Sequence, residues 1–180
     1  MSALAATHTF RTTWLAGCGG GCLAAVAVWQ TGMIAAIPGA IGLTALAVSD
    51  AMTRRFSVRT LRIAGALVVV GLLLDTARAS AWDRLAVAAA LVSAVALALL
   101  VLWFATPGIA FGDVPLLTFA LLVPAWLSPL AVGCTILVTL AVGGAVAAAQ
   151  RHHRHANATA GTVALGPALL AGWAAGVVIG

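Results

Sequence analysis

Between Arg84 and Thr106 the chain is nearly pure alanine, leucine and valine, an apolar run from Leu85 to Ala105. At 1.5 Å per helical residue such a run crosses the roughly 30 Å hydrocarbon core of a bilayer. In lipid every backbone N–H and C=O must be satisfied inside the segment, so the run has to be a helix with other helices beside it. Further apolar stretches follow the same pattern at Thr12–Trp29, Met33–Ser49, Ile63–Leu74, Val114–Leu127, Leu130–Ala149 and Thr162–Ile179. Hydrophobic residues make up 63% of the 180 and charged ones 7%, with a mean hydropathy of +1.15, which leaves too little polar surface to clothe a soluble globule. The expected fold is all-α, a polytopic transmembrane helix bundle of about six or seven spans forming a single domain over residues 1–180.

Charge orients the bundle. All nine basic residues are arginine, and they gather at the ends of apolar runs, which assigns them to lipid headgroups and not to nucleic acid. Arg54, Arg55, Arg59 and Arg62 form the densest positive run between spans, so by the positive-inside rule that loop is cytoplasmic. The connection from Asp75 to Arg84 balances two aspartates against two arginines, with Trp82 as an interfacial anchor, and falls on the outer side. Arg151, His152, His153, Arg154 and His155 then return to the cytoplasm as a solvated basic loop. This count puts the N-terminus in the cytoplasm and the C-terminus outside. Only His8 and Arg11 precede the first run, and no Ala-x-Ala-like site leads to a soluble mature domain, so that run reads as a span and not a cleaved signal.

Local punctuation adds detail. Gly17 and Gly19 to Gly21 offer a close-packing face, Gln30-Thr31-Gly32 a tight turn, Pro38 and Gly39 a kink in the second span, and Ser128-Pro129 a break. Val114–Leu127 is short for a full crossing and reads as a half-span. Cys18, Cys22 and Cys134 lack the companions of a four-ligand zinc site and read as small packing residues; no metal or other cofactor is expected.

The chemistry rests on the acids, which number four and are all aspartate. A carboxylate at membrane depth costs about 2.5–3.5 kcal/mol on insertion scales, so it marks a functional site by default. Asp113, beside Gly112 in the apolar stretch Thr106–Pro115, is the first such residue, and Asp50 at the cytoplasmic end of the second span shares its face. Two carboxyl groups brought together share one proton, leaving one as base and one as acid. The base takes a proton from water attacking a scissile carbonyl while the acid protonates the carbonyl oxygen, which needs neither a metal nor a covalent intermediate. Asp75 and Asp83 read as solvated loop acids near Arg78 and Arg84.

The residues Gly108-Ile109-Ala110-Phe111-Gly112-Asp113-Val114 resemble the Gly-x-Gly-x-Gly-Asp-x-Lys signature of the type IV prepilin peptidases, membrane aspartic proteases of the Gly-x-Gly-Asp class. Asp50, followed by a basic segment, resembles the family's first aspartate, and Gly166-Pro167 is similar to its C-terminal Pro-Phe-Gly-Pro element. Ala110 stands where the family has its middle glycine, Pro115 where it has lysine, and Phe56-Ser57-Val58 where it has Ile-Pro-Asn. The resemblance implies an aspartic endopeptidase of the inner (plasma) membrane that removes short basic leaders from prepilin-like proteins at the cytoplasmic face. Asp50 and Asp113 would be its catalytic pair, Gly108 and Gly112 would support the site, and Arg54 and Arg55 would contact substrate or lipid headgroups. By this resemblance it would be a short form without the zinc-binding, methyltransferase-associated region of longer members. A homo-oligomer is compatible with this reading. Two rivals from other classes are a non-catalytic scaffold that keeps the fold, favoured by Ala110 and Pro115, and a small ion or proton transporter, which predicts acids spread through the membrane depth.

Overall fold

The computed structural model describes residues 19–53, 57–105, 111–153 and 165–180. Among them the chain is all-helical: α1 (19–31), α2 (Ala36–Thr53), α3 (Val58–Ala79), α4 (Trp82–Ala105), α5 (Asp113–Leu127), α6 (Pro129–His153) and α7 (Gly166–Ile179). Three of the helices, Val58–Ala79, Trp82–Ala105 and Pro129–Ala149, are long and apolar enough to cross a membrane, while α2, α5 and α7 are shorter apolar helices. The first expected span is described only from residue 19 and the last only from 165, so Thr12–Cys18 and Thr162–Ala164 lie outside the described residues.

Several boundaries follow from single residues. α1 ends where Gly32 takes φ 66°, the left-handed conformation that favours glycine, and its N–H closes on the carbonyl of Val28 at 2.7 Å. The expected turn at Gln30-Thr31-Gly32 is thus present only at Gly32, since Gln30 and Thr31 are the last residues of α1. α3 is longer than the apolar run Ile63–Leu74, because Ser57 caps its start, its Oγ accepting from the N–H of Thr60 at 3.3 Å. Arg59 and Arg62 are thus helical residues, and so are Asp75 and Arg78, which the sequence assigns to a connection. The connection itself shrinks to Ser80 and Ala81. Pro38 produces no mid-helix break, since it falls in the first turn of α2, where a missing N–H costs nothing. Ser128-Pro129 does separate two helices. α6 runs through His153, so the first part of the basic run is helix instead of loop; Arg154 and His155 lie outside the described residues.

Ser80 closes α3 with φ 51°, a left-handed conformation that costs a non-glycine residue about 1–2 kcal/mol. Ser80→Gly is accordingly expected to raise stability by about 1 kcal/mol, read as a higher thermal midpoint of the purified protein.

The core draws on every helix, with Leu43, Leu46, Val68, Leu116, Leu121, Leu169 and Trp173 almost wholly buried. α5 sits at its centre: Leu116, Phe119, Ala120, Leu121 and Val123 are all buried. α4 lies at the edge, burying only Ala88 and Val92 and exposing Leu97, Val101 and Phe104. An apolar surface of that extent is costly in water and ordinary in lipid.

α6 and α7 pack antiparallel with their backbones in close contact. A Cβ on Gly176 would collide with the Thr135 hydroxyl and the Ala131 carbonyl, and one on Gly172 with the Thr139 hydroxyl and the Thr135 carbonyl. One turn further, Gly143 faces Ala168, with a would-be Cβ 3.8 Å from the Ala168 side chain. Gly172 and Gly176 thus form the small-xxx-small face through which membrane helices associate. Thr139 Oγ1 is buried there with no hydrogen-bond partner among the described residues. Gly172→Ala and Gly176→Ala are each expected to cost about 1–3 kcal/mol of stability, measured as loss of folded protein on titration with a denaturing detergent.

Candidate functional site

Helix N-termini receive all four aspartates. Each such terminus leaves four N–H groups without an intrahelical partner and carries a partial positive charge, so it welcomes a carboxylate. Asp83 and Asp113 lie in the first turn of their own helices, α4 and α5. Asp50 and Asp75 have the opposite problem, since they sit near the C-terminal ends of α2 and α3, where the helix dipole disfavours an anion by about 0.3–1 kcal/mol. Both turn to the N-terminus of a neighbouring helix.

Asp50 is 9% exposed, and its Oδ2 accepts the backbone N–H of Gly166 at 2.7 Å, at the first residue of α7. The approach needs a glycine at 166: a Cβ there would lie 2.7 Å from the Ala47 Cα and 3.1 Å from the Asp50 Cβ. Pro167 follows at the start of the helix, where its missing N–H is no loss. The sequence singles out Asp50 and Gly166-Pro167 separately, and the fold brings them into contact. Among the described residues no hydrogen bond ties Oδ1, so one oxygen of the carboxylate is held and the other is uncommitted.

Asp75 is the residue that sequence reasoning misses. It is 6% exposed, and it is not a solvated loop acid: Oδ1 accepts from the N–H of Ile34 at 3.0 Å and Oδ2 from that of Ala35 at 2.9 Å. Gly71, one turn earlier, lets the chain come this close, as a Cβ there would lie 2.7 Å from the Ala35 Cα. The available signal is the pair Gly71 and Asp75, at i,i+4 on one face of an otherwise apolar helix, the same small-residue-plus-carboxylate combination that Gly166 and Asp50 form across two helices.

Asp113 is half-buried and opens α5, with Gly112 as the N-cap. Gly112 has φ −62° and ψ −26°, an ordinary right-handed conformation that any residue adopts. It stands with Phe111, Val58 and Arg62 at one end of a groove of about 670 Å³ between α3, α4 and α5, whose walls are apolar residues such as Leu61, Val69, Leu100 and Phe119. Trp103 packs edge-on against Phe111, ring centroids 5.2 Å apart, and joins α4 to this end of α5. Gly108, Ala110, Arg54 and Arg55 lie outside the described residues.

Helix register brings the two candidate catalytic acids to one level. α2 and α5 are antiparallel, with Gly39 against Val123 and Gly42 against Phe119. Asp50 is eight residues beyond Gly42 and Asp113 six residues before Phe119, which is about 12 Å and 9 Å along the two helices in the same direction. The acids therefore stand at the same end of the bundle, within about 3 Å of each other in height. Asp75 is at the opposite end, by the start of α2. The cysteines Cys22 and Cys134 are free thiols on α1 and α6. No family model, no curated protein and no solved structure matches the chain.

Proposed function

We propose that the chain is an aspartic endopeptidase of the inner (plasma) membrane with six or seven spans and a cytoplasmic N-terminus, and that Asp50 and Asp113 activate water to clip short basic leaders from prepilin-like proteins. The observation that supports this most is the common level of the two acids at one end of the bundle, reached from different helices. The Gly166 N–H fixes Oδ2 of Asp50 and turns its second oxygen away from that bond, as a base that must meet water requires. One carboxylate takes a proton from the attacking water, the hydroxide carbon–oxygen bond forms at the scissile carbonyl, and the protonated partner delivers its proton to the carbonyl oxygen. Collapse of the tetrahedral species then breaks the carbon–nitrogen bond, and the proton held by the base passes to the leaving amine. Arg54 and Arg55 follow Asp50 by four and five residues in the sequence and would meet headgroups or substrate.

The hydrogen bond to Gly166 equally favours a second reading, a scaffold in which Asp50 is only a helix cap. The transporter reading loses ground because Asp75, the one other buried acid, spends both oxygens on backbone N–H groups. The deciding experiment is co-expression with a protein carrying a basic leader, a glycine and then an apolar helix, read by intact mass. Leader loss with the wild type and its retention with Asp113→Asn at equal abundance supports the peptidase. Retention with the wild type across several such substrates rejects it.

A further inference from the structure

At the end of the bundle away from Asp50 and Asp113, a cavity of about 560 Å³ opens between the ends of α1, α5 and α7 and the start of α4. Its wall is polar and aromatic: Gln30, Thr31 and Arg84 line it with the indoles of Trp29 and Trp126, over an apolar floor that includes Val177. The Trp126 ring is fixed, because its Nε1–H donates to Thr76 Oγ1 at 3.0 Å. The Arg84 guanidinium lies over that ring, its Cζ 6.0 Å from the centroid, a cation–π arrangement that places the charge at the cavity wall. Among the described residues no carboxylate pairs with its N–H donors. Thr31 is already committed, donating to the Ala27 carbonyl and accepting from the Met33 N–H, so Gln30 is the second available donor.

A guanidinium fork matches the oxygens of a phosphate. The cavity is much larger than a phosphate group alone, and its apolar floor asks for an organic body on the anion. Trp29, in the cavity wall, is 90% exposed, and Trp82, two residues before Arg84, is 58% exposed, as indoles are at the headgroup level of a bilayer. We propose that this cavity binds an organic phosphate anion, with Arg84 as the charged donor and Gln30 as the second, and that the aromatic rim selects the phosphodiester of an anionic lipid headgroup. The proposal is independent of peptidase activity.

The test is native mass spectrometry of the full chain, stripped of lipid in detergent and titrated with phosphatidylglycerol or, in a parallel arm, with glycerol 3-phosphate. Wild type is expected to retain phosphatidylglycerol about tenfold more tightly than Arg84→Gln, the loss of one charge-assisted contact. Gln30→Leu is expected to weaken it less. Arg78→Gln, at the same end of the bundle but outside the cavity, is the control and should bind as wild type does. Both arginines are exposed, so the variants keep the fold, which equal thermal midpoints verify. Binding of the lipid but not of glycerol 3-phosphate assigns the membrane as source, and equal binding of both, still lost in Arg84→Gln, assigns a soluble phosphoester. Arg84→Gln binding as tightly as wild type, or Arg78→Gln losing as much, overturns the proposal.

Discussion

If the chain is the peptidase proposed above, Asp50→Asn is expected to leave the protein folded and to slow leader removal by about 10²–10⁴-fold, the usual contribution of a positioned general acid or base. Asparagine keeps an acceptor oxygen for the Gly166 N–H, so the cap on α7 survives while the proton-accepting oxygen is gone. Asp50→Ala removes both and is expected to lower the thermal midpoint as well, since a buried N–H left without a partner costs about 1–3 kcal/mol. Comparing the two variants separates the two functions of one side chain. A peptidase loses activity in both and stability only in the alanine variant; a scaffold in which Asp50 merely caps α7 is unharmed by asparagine. Asp113→Asn should match Asp50→Asn in activity, because removing either member of a proton-sharing pair disables it.

The largest loss of stability is expected from Asp75→Ala. Its carboxylate satisfies two N–H groups at once, and in this buried position each would be left bare, at about 1–3 kcal/mol apiece and so about 2–6 kcal/mol together. Asp75→Asn retains one acceptor oxygen and should lose roughly half as much. Detergent unfolding of the purified variants gives the order directly: wild type above Asp75→Asn above Asp75→Ala. An Asp75→Ala variant as stable as wild type would mean that the start of α2 is held by its apolar packing alone.

Asp75 also shows where sequence reading stops. The all-helical class, the apolar helices, the turn at Gly32 and the break at Ser128 follow from periodic composition and from residues with strong local preferences, and all are legible without coordinates. Asp75 ends an apolar run, and hydropathy alone makes such a residue the start of a loop. Its partners lie some 40 residues earlier in the chain, and no local rule points to them. The same limit applies to α6 and α7: glycines at 172 and 176 announce a packing face, but Thr135 and Thr139 as the opposing surface come from tertiary register alone. For Asp50 and Asp113 the sequence supplies both residues and their common face, and the antiparallel register of α2 and α5 adds the height. The contact between Asp50 and Gly166 is nonlocal as well, though both partners stand out beforehand, one for its charge and the other for its proline neighbour.

The unequal lengths of α6 and α7 have a consequence for what can reach Asp50. α6 continues ten residues, about 15 Å, past Gly143, where Ala168 faces it, and Asp50 is anchored only two residues above Ala168. The tip of α6 therefore overhangs the acid by about 12 Å, like a mast beside a low deck. Asp50 is therefore recessed below the end of the longer helix. A chain reaching it would have to be drawn down alongside the overhang, so the difference in length between two helices measures out which part of a polypeptide arrives at the carboxylate.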